Sequence, residues 1–140
     1  MVSSGVPVDI DCITEFNAMK LNKKDIKYII YGLNETLEKV QIIEIGDSSK
    51  SYDDMISKFP SDDCRFAVIN FDFEIEDGKR SKCLFVSWAP SKAKPKSKMV
   101  YTASKSDLKK QLEGCSIELN ADCQGEVTYE NALERCMKFC

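Results

Sequence analysis

The stretch 66–73, Phe-Ala-Val-Ile-Asn-Phe-Asp-Phe, carries apolar side chains on both sides of an extended chain. Phe66 and Val68 point one way, and Ala67, Ile69 and Phe71 point the other, because side chains alternate along a strand. A strand that is apolar on both faces needs cover on both faces. The segment 28–33, Tyr-Ile-Ile-Tyr-Gly-Leu, has the same character. The pair predicts a central sheet with helices on each side, a three-layer α/β domain.

The remaining segments fit that layout. Residues 9–20 set Cys12, Phe16 and Met19 at helical spacing, with Asp9 or Asp11 available as a cap. Strands are expected at 26–33 and 38–45, joined by the turn-like Asn34-Glu35-Thr36. A short helix at 51–59 ends at Pro60. The clearest pair of strands, 65–75 and 81–88, flanks the turn signal Asp77-Gly78, and Trp88 at its end is read as a core or core-edge residue. The longest helix is expected over 97–113 and stopped by Gly114. Tyr101, Leu108 and Leu112 form its inner stripe, with Lys98, Thr102, Lys105 and Lys109 on the neighbouring one. A strand at 116–121 precedes a last helix capped by Thr128, with Tyr129, Leu133 and Cys136 facing inward.

A chain of 140 residues, 43% hydrophobic and 31% charged, is enough for one domain spanning 1–140 with a real core. It holds no run long enough to span a membrane, and its N-terminus lacks the apolar stretch of a signal peptide. A cytoplasmic location follows as an expectation. The seven cysteines (12, 64, 83, 115, 123, 136, 140) form no Cys-x-x-Cys pair and there is no histidine, so no metal site is expected. Reduced core and surface thiols are the reading for this compartment. Cys136 and Cys140, near the C-terminal end, are the expected sites of oxidation in vitro.

Charge is divided unevenly. Ten basic residues against one acid, Asp107, lie between Lys79 and Lys110, in a chain whose net charge is −3. A general nucleic-acid binder is more often basic throughout. A local basic field on an acidic body suits one acidic surface, either a protein or an anionic lipid headgroup. Catalytic parts are absent: six scattered glycines make no phosphate-cradling loop, and without histidine no Ser–His or Cys–His couple exists. The chain therefore reads as a binding protein without a cofactor.

The segment Pro95-Lys96-Ser97-Lys98-Met99-Val100-Tyr101-Thr102-Ala103-Ser104-Lys105 resembles the signature of the actin-depolymerising factor/cofilin family. Ser4-Gly5-Val6, Asp63-Cys64-Arg65, Gly78-Lys79-Arg80-Ser81-Lys82, the run 85–90 (FVSWAP) and the run 129–135 agree with it in order and spacing. The resemblance covers essentially the whole chain and is nearest to yeast and amoeboid members, including actophorin.

That resemblance implies an actin-depolymerising-factor homology fold, a mixed sheet between helices. It also implies a monomer that binds actin monomers and filaments, prefers ADP-bound actin, and severs and depolymerises filaments. The surface for both actin forms would comprise Ser4, Gly5, Val6, Lys96, Lys98, Met99, Ser104, Lys105, Lys109 and Lys110. A filament-specific surface would comprise Lys79, Arg80, Lys82, Glu134, Arg135 and Lys138. Ser4 matches the family's inhibitory phosphorylation site, and the lysine field would attract phosphatidylinositol bisphosphate. Two other tasks remain open at this stage: an adaptor on anionic membranes, and a relative acting on filament sides or branch complexes without severing. Only Lys23-Lys24 stands where some relatives carry a nuclear-localisation insert, so nuclear import is not implied.

Overall fold

A computed structural model describes residues 7–115 and 117–138, and the elements follow one another as four helices and five strands. Helix α1, Ile10–Lys20, starts at Asp9, whose carboxylate accepts the Asp11 N–H at 3.3 Å. It buries Cys12, Phe16 and Met19, as their spacing predicts. Strand β1, Tyr28–Leu33, is buried at every position.

Strand β2, Val40–Gly46, begins two residues later than the alternation alone predicts. The reason is local: Asn34 Oδ1 accepts the N–H groups of Glu38 and Lys39 at 2.8 and 3.1 Å. Those two donors are committed to the turn and leave the ladder to start at Val40. Helix α2, Tyr52–Ile56, opens with a capping box, in which Ser51 and Asp54 each accept the other's backbone N–H.

Strands β3, Arg65–Ile75, and β4, Gly78–Trp88, form a long antiparallel hairpin with Ile75 opposite Gly78. The connection is therefore Glu76-Asp77, and β4 starts at Gly78 instead of 81. Gly78 has φ +125°, a conformation other residues rarely adopt. The added rungs set Glu74 opposite Lys79, an attractive cross-strand pair. Helix α3, Pro95–Gln111, has proline in its first turn and buries Tyr101, Ser104 and Leu108. Strand β5, Ile117–Ala121, runs parallel to β4, and helix α4, Tyr129–Met137, is capped by the Thr128 hydroxyl, which accepts the Asn131 N–H at 3.3 Å. A 3-10 turn at Gln124–Glu126 lies between β5 and α4.

The sheet order is β2-β1-β3-β4-β5, antiparallel except for the β4–β5 pair. Apolar side chains divide between its two faces as the sequence predicts. Phe66, Val68, Ile29, Tyr31 and Phe85 join α1 and α3 in one core. Ala67, Ile69, Phe71, Ile30 and Val86 join α2 and α4 in the other. The three-layer reading thus holds. Trp88 is buried, stacks on Phe59 at 5.5 Å and donates its indole N–H to the Pro60 carbonyl at 2.7 Å. On α4 the fully buried residues are Ala132 and Cys136, whereas Tyr129 is 40% exposed and only flanks the core through its ring. Among the described residues, no helix is long and apolar enough to cross a membrane.

Candidate protein-docking surface

Helix α3 is fastened to the sheet from below, which decides what it shows above. The Tyr101 hydroxyl accepts the Leu33 N–H at 2.8 Å, at the end of β1. Arg65, at the start of β3, donates to the same oxygen at 3.4 Å, to Asp63 at 3.0 Å and to the Cys64 carbonyl at 2.6 Å. Tyr101 also packs its ring 5.2 Å from that of Phe66. Burial pushes the Tyr101 phenol up, while the Leu33 N–H and Arg65 oppose it, so the group stays neutral and serves as an anchor.

With Tyr101, Leu108 and Leu112 turned inward, the exposed line along α3 runs through Met99, Thr102, Ser106 and Lys110. Of the line of Lys98, Thr102, Lys105 and Lys109 that periodicity emphasised, Thr102 belongs to this stripe, whereas the three lysines are half-buried one step round the helix. Met99 stands at its head, 65% exposed. Lys96 is exposed beside it, and Lys98 is half-buried, with its ammonium donating to the Ser91 carbonyl at 3.1 Å.

Lys105 and Lys109 turn toward β5. Glu118 accepts from Lys105 at 3.0 Å and from Lys109 as well, and Lys105 also reaches Asn120 at 3.3 Å. Lys109 stands 5.8 Å over the Phe85 ring. Burial raises the Glu118 carboxyl, but the hydrogen bonds from Lys109, Lys105 and Asn120 outweigh it and hold the group down at about 2. Ser104 is fully buried and donates its hydroxyl to the Val100 carbonyl at 2.8 Å, so its side chain belongs to the support and not to the exposed face.

Most of the second set of residues lies on the far side of the sheet. Arg80 is opposite Phe73 and Lys82 opposite Phe71, so both share the face that α4 covers. Lys79 points to the other face. Tyr129, at the start of α4, stacks on Phe71 at 5.2 Å and joins that helix to the hairpin. Glu134 and Lys138 are exposed and 3.9 Å apart. Arg135 is half-buried, and its Nε donates to the Glu118 carbonyl at 3.0 Å.

Apart from Lys79, the two sets therefore occupy opposite sides of the sheet and meet at Glu118, whose carboxylate faces α3 and whose carbonyl faces α4. Sequence reasoning missed Glu118 and the Tyr101–Arg65 anchor. The signal for Glu118 was present in β5, where Glu118 and Asn120 alternate with Ile117, Leu119 and Ala121 and give the strand one polar face. Ser4, Gly5 and Val6 lie outside the described residues. Among the described residues, Asp122, Cys123 and Glu126 bring donor atoms within 4.8 Å of one another. All three are exposed, and Glu126 is already engaged by the Asp122 N–H at 2.8 Å.

A family model described as cofilin/tropomyosin-type actin-binding protein matches residues 5–137. The chain is 42% identical to the cofilin of Mycosarcoma maydis over 135 residues, covering 96% of each. It is 35% identical to the actophorin of Acanthamoeba castellanii, covering 96% of this chain and 97% of the other. The crystal structure of Streptomyces griseoflavus cofilin superposes with a TM-score of 0.88 at 37% identity, covering 96% of this chain and 98% of that one.

Proposed function

The chain belongs to the cofilin/tropomyosin-type family of actin-binding proteins, and from that membership we propose that it binds actin monomers and filaments and drives filament turnover. The family works by binding, and the chain is not an enzyme. The observation that carries the proposal is the exposed Met99 at the head of α3, flanked by Lys96 and Lys98 on a helix anchored through Tyr101. An apolar knob beside cations suits insertion into a groove on an acidic partner.

Lys96, Lys98, Met99 and Lys110 are proposed as the direct contacts to monomer and filament, joined by Ser4, Gly5 and Val6 from the N-terminal arm. Lys105 and Lys109 contribute through their Glu118-held positions, and Ser104 through packing. Lys79, Arg80, Lys82, Glu134, Arg135 and Lys138 are proposed for the neighbouring filament subunit. Contact surfaces that, Lys79 apart, lie on opposite sides of one sheet suit a protein wedged between subunits. A ligand shifts an equilibrium only by its differential affinity, so preference for an altered ADP-filament state would promote both severing and depolymerisation. The protein is expected to act as a monomer on the cytoplasmic actin cytoskeleton.

Filament pelleting with single-filament imaging tests this. Saturable binding with faster disassembly and visible breaks is the expected result. Unchanged filament length and disassembly rate would refute it. Binding along filament sides without breaks would instead identify a non-severing relative.

Ser4 is the proposed phosphorylation site. A phosphate adds about −1.5 to −2 charges at neutral pH and opposes docking on an acidic partner. Ser4→Asp should weaken actin binding and Ser4→Ala should not; equal affinities would reject this regulation. Phosphatidylinositol bisphosphate is proposed to compete for the lysine face. Because Lys105 and Lys109 already have an anionic partner in Glu118, lipid binding is expected to regulate rather than define the task. Liposome binding without any actin effect would reverse that order.

A further inference from the structure

Cys83 lies on β4 just before the first rung of the β4–β5 ladder, Leu84 opposite Ile117. Cys115 lies two residues before the other end of that rung. The ladder brings their Sγ atoms within 2.7 Å of one another, closer than two unbonded sulfurs normally approach. The backbone at Cys115 is held by its own N–H donating to the Leu112 carbonyl at 3.3 Å, and by Lys20, which donates to the Glu113 carbonyl at 2.6 Å. Cys83 is partly exposed, whereas Cys115 is buried.

We propose that Cys83 and Cys115 are an intramolecular oxidation site, closing to a cystine on reaction with hydrogen peroxide. A site where both sulfurs already meet needs little backbone movement to be bridged. Cys12, Cys64 and Cys136 are buried, and Cys123 is exposed. Of the terminal pair expected from sequence position, Cys136 is buried in the α4 core and Cys140 lies outside the described residues.

The chemistry balances in two steps. The more accessible Cys83 sulfur, as thiolate, attacks one peroxide oxygen. An S–O bond forms, the O–O bond breaks, and the departing oxygen leaves as water after taking up a proton. Cys115 sulfur then attacks the sulfenic sulfur of Cys83. An S–S bond forms, the S–O bond breaks, and the Cys115 proton leaves with the oxygen as a second water. Two thiols lose two electrons in all, and one peroxide is reduced to two waters. The Cys115 thiol is held far up, first by its hydrogen bond to Cys83 and then by burial, with the Lys109 ammonium opposing.

The bridge would span 32 residues of sequence and enclose the whole of α3, fixing the helix's C-terminal end to the sheet. Reduced wild-type protein treated with stoichiometric hydrogen peroxide should lose two hydrogens in intact mass. Non-reducing peptide mapping should join the peptides that hold Cys83 and Cys115. The midpoint of thermal unfolding should rise by about 5–10 °C, and dithiothreitol should reverse all three changes. Cys83→Ser and, separately, Cys115→Ala should abolish the mass loss. The proposal is overturned if the linked peptides involve other cysteines. It is equally overturned if Cys83 proceeds to sulfinic acid unlinked, or if both thiols remain open to alkylation.

Discussion

Glu118 on β5 holds Lys105 of α3 at 3.0 Å, while the backbone carbonyl of the same residue accepts the Arg135 guanidinium of α4. One residue at the sheet edge thus connects the helices that carry the two proposed contact surfaces. Its position also alters the reading of the lysine-dense stretch, since two of those cations are engaged inside the molecule.

Glu118→Gln should lower stability by about 1 kcal/mol at neutral pH, since charge-assisted bonds from two ammonium groups are weakened. The carboxyl is held at about 2 in the folded protein, against 4.5 as its ordinary value. The folded state therefore binds fewer protons between those values. The wild-type advantage is complete above about pH 4.5 and is lost as the pH falls through about 2. Unfolding midpoints of both proteins, measured across that range, should converge at the acid end. A constant gap would reject the assignment.

Tyr101→Phe removes the acceptor of the buried Leu33 N–H and one partner of Arg65. A buried donor left unpaired costs about 1–3 kcal/mol. Urea denaturation should show a loss of that size, and actin binding should weaken because the head of α3 loses its anchor. A loss below about 0.5 kcal/mol would mean that the N–H finds another partner.

Arg80→Ala combined with Lys82→Ala should reduce filament co-sedimentation about fivefold or more and leave monomer binding within about twofold. Lys96→Ala combined with Lys98→Ala should weaken both. The structure supports the separation, because Arg80 and Lys82 lie on the α4 side of the sheet and the second pair lies on α3, on the opposite side. Parallel losses in both assays for both double variants would contradict two distinct surfaces.

Met99→Ala should reduce actin affinity with no measurable loss of thermal stability, because the side chain is exposed and outside either core. A stability loss without an affinity change would place Met99 among packing residues.

Much of this was legible in the chain itself. Apolar residues on both faces of 28–33 and 66–73 required a covered central sheet, and both faces are covered. The caps at Asp9 and Thr128 were readable because short polar side chains before an apolar period have a local mechanism. The motif around Lys96–Lys105 pointed to the family that the comparisons then showed. These are short-range signals, carried by residues within a few positions of one another.

What the fold alone decided are the contacts between distant residues. A charge window along the chain counted Lys79, Lys105 and Lys109 as one field. Strand pairing put Glu74 opposite Lys79, and the β4–β5 ladder brought Glu118 under Lys105 and Lys109. The same ladder joined the sulfurs of Cys83 and Cys115, 32 residues apart. Periodicity determines which side of an element is apolar, but the neighbour that meets its polar side is set by topology. The sequence by itself therefore determined the layers, the caps and the family. Tertiary structure decided which charges stay available to a partner, because Coulomb attraction depends on distance in space and not along the chain.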